Sequence, residues 1–344
     1  MQNEKKIINF EKEGEKNFIK KIERMIVNKL TTRGFELRQA YKNKLNNEFT
    51  RYSEKEFPNY KVAARDRNGN GMIEKFISEE DKVKLAILNE LTENDELVIN
   101  NKKDFLLQYG ILIERNVDLE ELAAAENLII EEKPMDRSYN GYIIFNNRCG
   151  IIFINKEIND TRVKRFTIAH EIAHFILHRN DRSEMQVFEV LEGQQFEREA
   201  DRFAADILMP KEIIEQKLNK ELNLELIKEI ADKFNVTYSA MAFRVADVMR
   251  NYLSMIVIVR QSNNEIKKFY NRYSKYFDNN KVVISEDSLT AKLYDGSIDN
   301  IKNRFLNTCS TKWIRFRHKP FSMIEEVYYD ELMDYSLSIV YEKK

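Results

Sequence analysis

Apolar and polar positions first fall into a repeat at residues 15–30, where Phe18, Ile22, Met25, Ile26 and Leu30 stand at helical spacing between lysines and glutamates. A stripe of that period predicts an amphipathic helix. Residues 31–66 follow with Tyr41, Phe49, Tyr52, Phe57 and Tyr60 among polar positions, poorly phased, and are read as further helix. The stretch Asp66-Arg67-Asn68-Gly69-Asn70-Gly71 imitates a calcium loop, but the position that needs a bidentate carboxylate is Ile77, so it predicts a turn. Helices are predicted over Glu79–Leu91 and Asp118–Glu126, and a strand at Leu128-Ile129-Ile130. The period then changes. Tyr142-Ile143-Ile144-Phe145 and Ile151-Ile152-Phe153-Ile154 flank the turn residues Asn146–Gly150, which is the pattern of a β-hairpin.

Cap candidates at Asn159-Asp160-Thr161 open the next helix, and a second spans Gln194–Leu208, stopped by Met209-Pro210. Further helices run to about Met249. Their segment Leu226–Val248 has a helix-turn-helix outline with Asn235-Val236-Thr237 at the turn, but only Arg244 and Arg250 offer positive charge, which favours packing over DNA reading. From Met255-Ile256-Val257-Ile258-Val259 to Ser336–Tyr341 strand-like and polar stretches alternate. The expected fold is α+β and helix-rich. It divides into a helical N-terminal region (1–110), a domain with a small sheet and a helical segment (111–250), and an α+β domain (254–344).

Composition agrees with this picture and narrows it. The chain has 344 residues, enough for two or three folding units, and only nine glycines and four prolines to interrupt helices. No apolar run approaches the ~18 residues of a membrane span, and the charged start lacks an apolar signal region, so a cytoplasmic protein with no membrane partner is expected. Cys149 and Cys309 are too far apart in sequence for a paired metal motif and are read as ordinary reduced residues. The net charge is −1, yet residues 1–67 carry 17 Lys/Arg against 10 Asp/Glu, and residues 68–135 carry 7 against 16. A basic arm suggests nucleic-acid contact only weakly, because mixed charge on a solvated helix has the same signature.

The chemistry concentrates in Phe166-Thr167-Ile168-Ala169-His170-Glu171-Ile172-Ala173-His174-Phe175-Ile176-Leu177-His178, which holds three of the four histidines of the protein. On a helix His170 and His174 lie one turn apart on one face, half of a zinc site. Glu171 lies ~100° round from His170, where a carboxylate can take a proton from water without becoming a ligand. Apolar residues surround the helix, so two imidazoles and a carboxylate would be buried, at high cost unless a metal receives them. His178 is ~12 Å from His170 along the axis, too far to share that ion. Glycine and histidine are also missing from the positions that a longer three-histidine signature requires, which Leu177 and Asn180 occupy.

A carboxylate from a neighbouring helix is the more economical third ligand. In Gln194–Leu208 the apolar stripe is Phe196, Ala200, Phe203, Ala204, Ile207 and Leu208; Glu197 falls inside it and Glu199 outside, so Glu197 is expected to complete the site and Glu199 is the alternative. Asp201, at the edge of the stripe, is placed to hold a ligand histidine. Three protein ligands leave a position open, which makes the site catalytic in type. Ile151–Ile154 are expected to offer a sheet edge to an extended substrate.

These residues, with Gly141–Ile144, Ile151–Asn155, Arg165–His178 and Glu197-Arg198-Glu199-Ala200-Asp201-Arg202-Phe203-Ala204 closing in Leu208-Met209-Pro210, resemble the ImmA/IrrE family of zinc metallopeptidases over about 111–250. The resemblance implies a zincin-like domain and a zinc ion, with manganese a substitute. His170, His174 and Glu197 are implied as ligands and Glu171 as acid/base. It also implies a protein substrate, a DNA-binding transcriptional repressor whose cleavage switches genes on. Competing readings are a regulator that binds DNA or a repressor without cutting, and a toxin–antitoxin component with a different target. The role of 1–110 is open, and 254–344 is read as sensory or partner-binding by analogy alone.

Overall fold

The computed structural model describes residues 32–47, 60–66, 77–93, 95, 117–180, 188–190, 194–218, 222–249, 255–261, 266–271, 286–294, 304–309, 322–330 and 335–342. The helix expected over 15–30, the calcium-like loop beyond Asp66 and Arg250 lie outside these residues. The chain divides into two compact units, Met1–Leu208 and Met209–Lys344. The fold is α+β and rich in helix, as the sequence predicts.

In the first unit the strands are β1 (Tyr60–Asp66), β2 (Leu128–Lys133), β3 (Tyr139–Phe145), β4 (Gly150–Asn155) and β5 (Phe188–Val190). They form one sheet in the order β2-β4-β3-β1-β5. The predicted hairpin is present, β3 antiparallel to β4 from Gly141 opposite Ile154 to Phe145 opposite Gly150. β2 runs parallel to β4, β1 antiparallel to β3, and β5 parallel to β1. Residues 60–66 are thus a strand where further helix is expected. Helix does occur just upstream, in α1 (32–47).

Alternate hairpin residues serve two cores. Tyr142, Ile144, Ile151 and Phe153 pack with Tyr41, Val62, Val83, Leu85 and Leu88, contributed by α1, β1 and α2 (Glu79–Leu91). The opposite face carries α4 (Thr161–His178), where the Phe145 and Phe175 rings meet edge to face at 5.8 Å. Burial on both sides accounts for the unbroken apolar runs of the hairpin. It also corrects one expectation. β4 is hydrogen-bonded along both edges and every one of its residues is buried, so Ile151, Ile152, Phe153 and Ile154 have no edge to offer a peptide. The outermost described strands are β2 and β5.

Gly141 sets how closely α4 approaches the sheet. A Cβ there would lie 2.7 Å from the Phe153 carbonyl oxygen and 2.8 Å from Thr167 Cγ2, so only glycine admits the helix at this height. α4 begins at Asp160, whose carboxylate accepts from the Arg162 N–H at 2.8 Å. Its far end is held by Lys61 Nζ, donating to the His178 carbonyl at 3.3 Å, and by the buried Arg179–Glu126 pair at 3.0 Å. Glu126 is the C-cap of α3 (Leu119–Ala125). α5 (Gln194–Leu208) buries Ala200, Phe203, Ala204, Ile207 and Leu208 and is the helix with which α4 shares its face.

The second unit has α6 (Lys211–Lys217), α7 (Leu224–Phe234), α8 (Tyr238–Val248) and α9 (Leu289–Tyr294), with an antiparallel sheet in the order β7-β6-β10-β9-β8. Its strands are β6 (Met255–Gln261), β7 (Ile266–Asn271), β8 (Arg304–Cys309), β9 (Ser322–Asp330) and β10 (Tyr335–Glu342). α7 and α8 join where expected, Asn235 taking the left-handed conformation and Thr237 capping α8. Arg244 is buried and donates through Nε to the Met209 carbonyl at 2.7 Å, the packing role that the sequence favoured. The buried Glu325 carboxylate accepts from the N–H groups of Leu289 and Thr290 and ties α9 to the sheet.

Candidate metal centre

Helical phase brings His170 and His174 to the same side of α4, and the first turns of α5 lie against that side. His170 Nε2 and His174 Nε2 are 3.0 Å apart; Glu197 Oε2 is 3.3 Å from the first and Oε1 is 3.4 Å from the second. All three residues are buried. Among the described residues they form the group of histidine, cysteine and carboxylate side chains close enough to share one ion. A tetrahedral ion with bonds of 2.0–2.1 Å needs ligand atoms roughly 3.3 Å from one another. The nitrogen and oxygen donors here stand at that spacing, so the residues fit zinc.

The surrounding residues sort by burial and partner. Asp201 Oδ1 is 3.0 Å from His170 Nδ1, which turns Nε2 of that ring toward Glu197. Glu171 is only 3% exposed, and its charge acts on His170. The side chain of Glu199 is 44% exposed, against 11% for Glu197, as expected for positions outside and inside the apolar stripe. His178, which its distance along the helix excludes from the ion, also belongs to this centre. It is buried, and its Nδ1 lies 3.2 Å from His174 Nδ1. Its place four residues beyond His174, on the same face, is the signal that points to this contact. Nothing in the sequence singles out Lys61 as the residue that caps the same helix end.

The protonation of the metal-free centre follows from this packing. Burial alone would lower the pKa of His170, but the carboxylates of Asp201, Glu197 and Glu171 outweigh it and push the imidazole up to about 10. His174, fully buried beside two other histidines, is lowered to about 4 despite Glu197. Burial would raise Glu197, yet its contacts with His170 and His174 hold the carboxyl well below the usual carboxylate range. At neutral pH the centre therefore holds an imidazolium at His170, a neutral His174 and an ionised Glu197. A metal ligand must be a neutral imidazole, so metal binding expels the His170 proton. Titration calorimetry at pH 7 in buffers of different ionisation enthalpy is expected to show about one proton released per metal ion. Affinity then rises about tenfold per pH unit while the pH stays between the two histidine values. Zinc binding without proton release would rule out the charge pattern described.

The family model for the IrrE N-terminal-like domain, peptidase family M78, matches residues 123–246, a span that contains the hairpin, α4 and α5. Among solved structures, a Mycobacterium tuberculosis transcriptional regulator is similar to the chain with a TM-score of 0.41 and 12% identity, over 74% of this chain and 74% of that one. The chain matches no curated protein sequence. Among the described residues no helix is long and apolar enough to cross a membrane. Residues 123–246 thus match an IrrE N-terminal-like domain, a family of metallopeptidase type, and the mixed α+β fold fits a zincin-like domain.

Proposed function

We propose that the chain is a zinc-dependent endopeptidase that hydrolyses a peptide bond in a DNA-binding transcriptional repressor. The observation that carries the reading is the meeting of His170, His174 and Glu197 at tetrahedral spacing inside a metallopeptidase-type domain. The repressor as substrate comes from the resemblance to the ImmA/IrrE family. Manganese is the expected substitute metal, since the nitrogen and oxygen donors accept it as well.

His170, His174 and Glu197 hold the ion, and Asp201 keeps the His170 ring in its ligating orientation. When bound, the ion polarises the scissile carbonyl and makes water acidic enough to be deprotonated near neutral pH. Glu171 is the base that takes that proton as the water oxygen attacks the carbonyl carbon, and it returns the proton to the departing amine. The C–N bond breaks and one water molecule is consumed. Glu171 starts each cycle ionised and ends it ionised. In this reading residues 254–344, by analogy alone, sense a signal or bind a partner, and the chain acts in the cytoplasm.

The test uses the purified full chain, zinc, and small helix-turn-helix repressors encoded beside it. Cleavage at one discrete position, abolished by a chelator and restored by zinc, is expected. If hydrolysis survives chelation, the metal mechanism fails; if the zinc-loaded chain leaves these repressors intact, the substrate assignment fails.

A further inference from the structure

His178 is excluded from the ion by its distance along α4, yet it makes a directed contact with one of the ligands. His174 turns Nε2 toward His170 and Glu197, and a histidine that coordinates through Nε2 carries its proton on Nδ1. That N–H is buried and needs an acceptor. The nitrogen facing it, at 3.2 Å, is His178 Nδ1. His178 accepts there only when its own proton sits on Nε2, the tautomer that the charge of the Glu199 carboxylate favours from 3.5 Å, at ion-pair range and without a hydrogen bond. Phe196 closes against the His178 ring edge to face, with centroids 4.9 Å apart, and fixes its plane.

The geometry points to His178 as a positioning residue for the metal ligand His174, with Glu199 selecting the tautomer in which it works. The inference rests on the metallopeptidase reading of His170, His174 and Glu197. Each ligand histidine then has its own partner: the carboxylate of Asp201 for His170, and the neutral ring of His178 for His174. An anionic partner strengthens a ligand more than a neutral one does, so the two histidines are unequal donors to the same ion. α5 supplies Glu197 directly and reaches both histidines through Asp201, Glu199 and Phe196.

The experiment measures zinc affinity of the purified full chain by competition with a chromophoric chelator, together with the visible absorption of the cobalt(II)-loaded protein. Thermal unfolding of each metal-free variant reports folding. His178→Phe keeps an aromatic ring against Phe196 but has no acceptor, and is expected to bind zinc about 10–100-fold more weakly with altered cobalt bands. His178→Asn presents an amide oxygen near the position of Nδ1 and is expected to recover most of the affinity. Glu199→Ala, at a partly exposed side chain, leaves the core intact and is expected to weaken zinc in the same direction by a smaller factor.

A His178→Phe protein that binds zinc as tightly as wild type, or a His178→Asn protein no better than His178→Phe, overturns the positioning role. Should neither His178 variant fold, unchanged affinity and unchanged cobalt bands in Glu199→Ala overturn it instead. A wild-type chain that takes up no stoichiometric zinc overturns the metallopeptidase reading first, and this inference with it.

Discussion

Glu171→Gln is expected to lower peptide hydrolysis about a thousandfold, within the range attributed to general acid–base catalysis, while zinc remains bound at one ion per chain. Glutamine has nearly the same shape, so the α4 packing around a residue that is 3% exposed is kept. What is lost is the basic oxygen. The metal site should not suffer, for an electrostatic reason: the Glu171 charge is one of the influences that raise His170, and its removal leaves a proton that zinc expels more easily. Zinc affinity should therefore stay equal or increase as activity falls. Cleavage rates of a susceptible repressor, set beside metal content by elemental analysis, decide the matter. Undiminished cleavage with zinc in place would falsify the role of Glu171, and a parallel loss of zinc would show that the substitution had damaged the site itself.

Elements with a clean period were legible in the sequence, and elements specified by partners were not. The Gln194–Leu208 helix could be bounded because its apolar stripe ends at Met209-Pro210, and its phase placed Glu197 inward and Glu199 outward, as their exposures agree. The hairpin was legible from two short apolar runs around a turn. Those same runs misled about their surroundings. Continuous apolar strands signal burial on both faces, and β4 also has neighbours on both edges, so the expectation of a free edge at Ile151–Ile154 failed. β1 was missed because Tyr60, Val62 and Ala64 alternate for only a few positions, after a polar and aromatic stretch with no clear period. β5 has three residues, too few for any pattern. Lys61 shows the same limit at the level of side chains. It is buried and caps α4 because β1 pairs with β3 beneath that helix, a consequence of long-range pairing that no local spacing records.

Glu197→Ala is expected to remove the metal where Glu171→Gln keeps it. Structural zinc sites bind with about 10–16 kcal/mol, so losing one of three protein ligands should cost roughly 3–5 kcal/mol, or about 10²–10⁴-fold in affinity. Glu199→Ala, which touches the centre only through His178, should cost less than about tenfold. The contrast between two glutamates two positions apart tests the assignment of the third ligand, because both variants shorten the same helix turn by the same atoms. The metal-free protein gives a second reading. The Glu197 carboxyl is held below its ordinary value by His170 and His174, so its stabilisation is full above the unfolded value near 4.3 and is lost as pH falls toward the folded one. Wild-type chain without metal should therefore lose thermal stability on acidification more steeply than Glu197→Ala does. Equal zinc affinity in the two glutamate variants would overturn the assignment of Glu197, and a stronger loss in Glu199→Ala would move the third ligand to Glu199 and leave Glu197 as a partner of the His170 imidazolium alone.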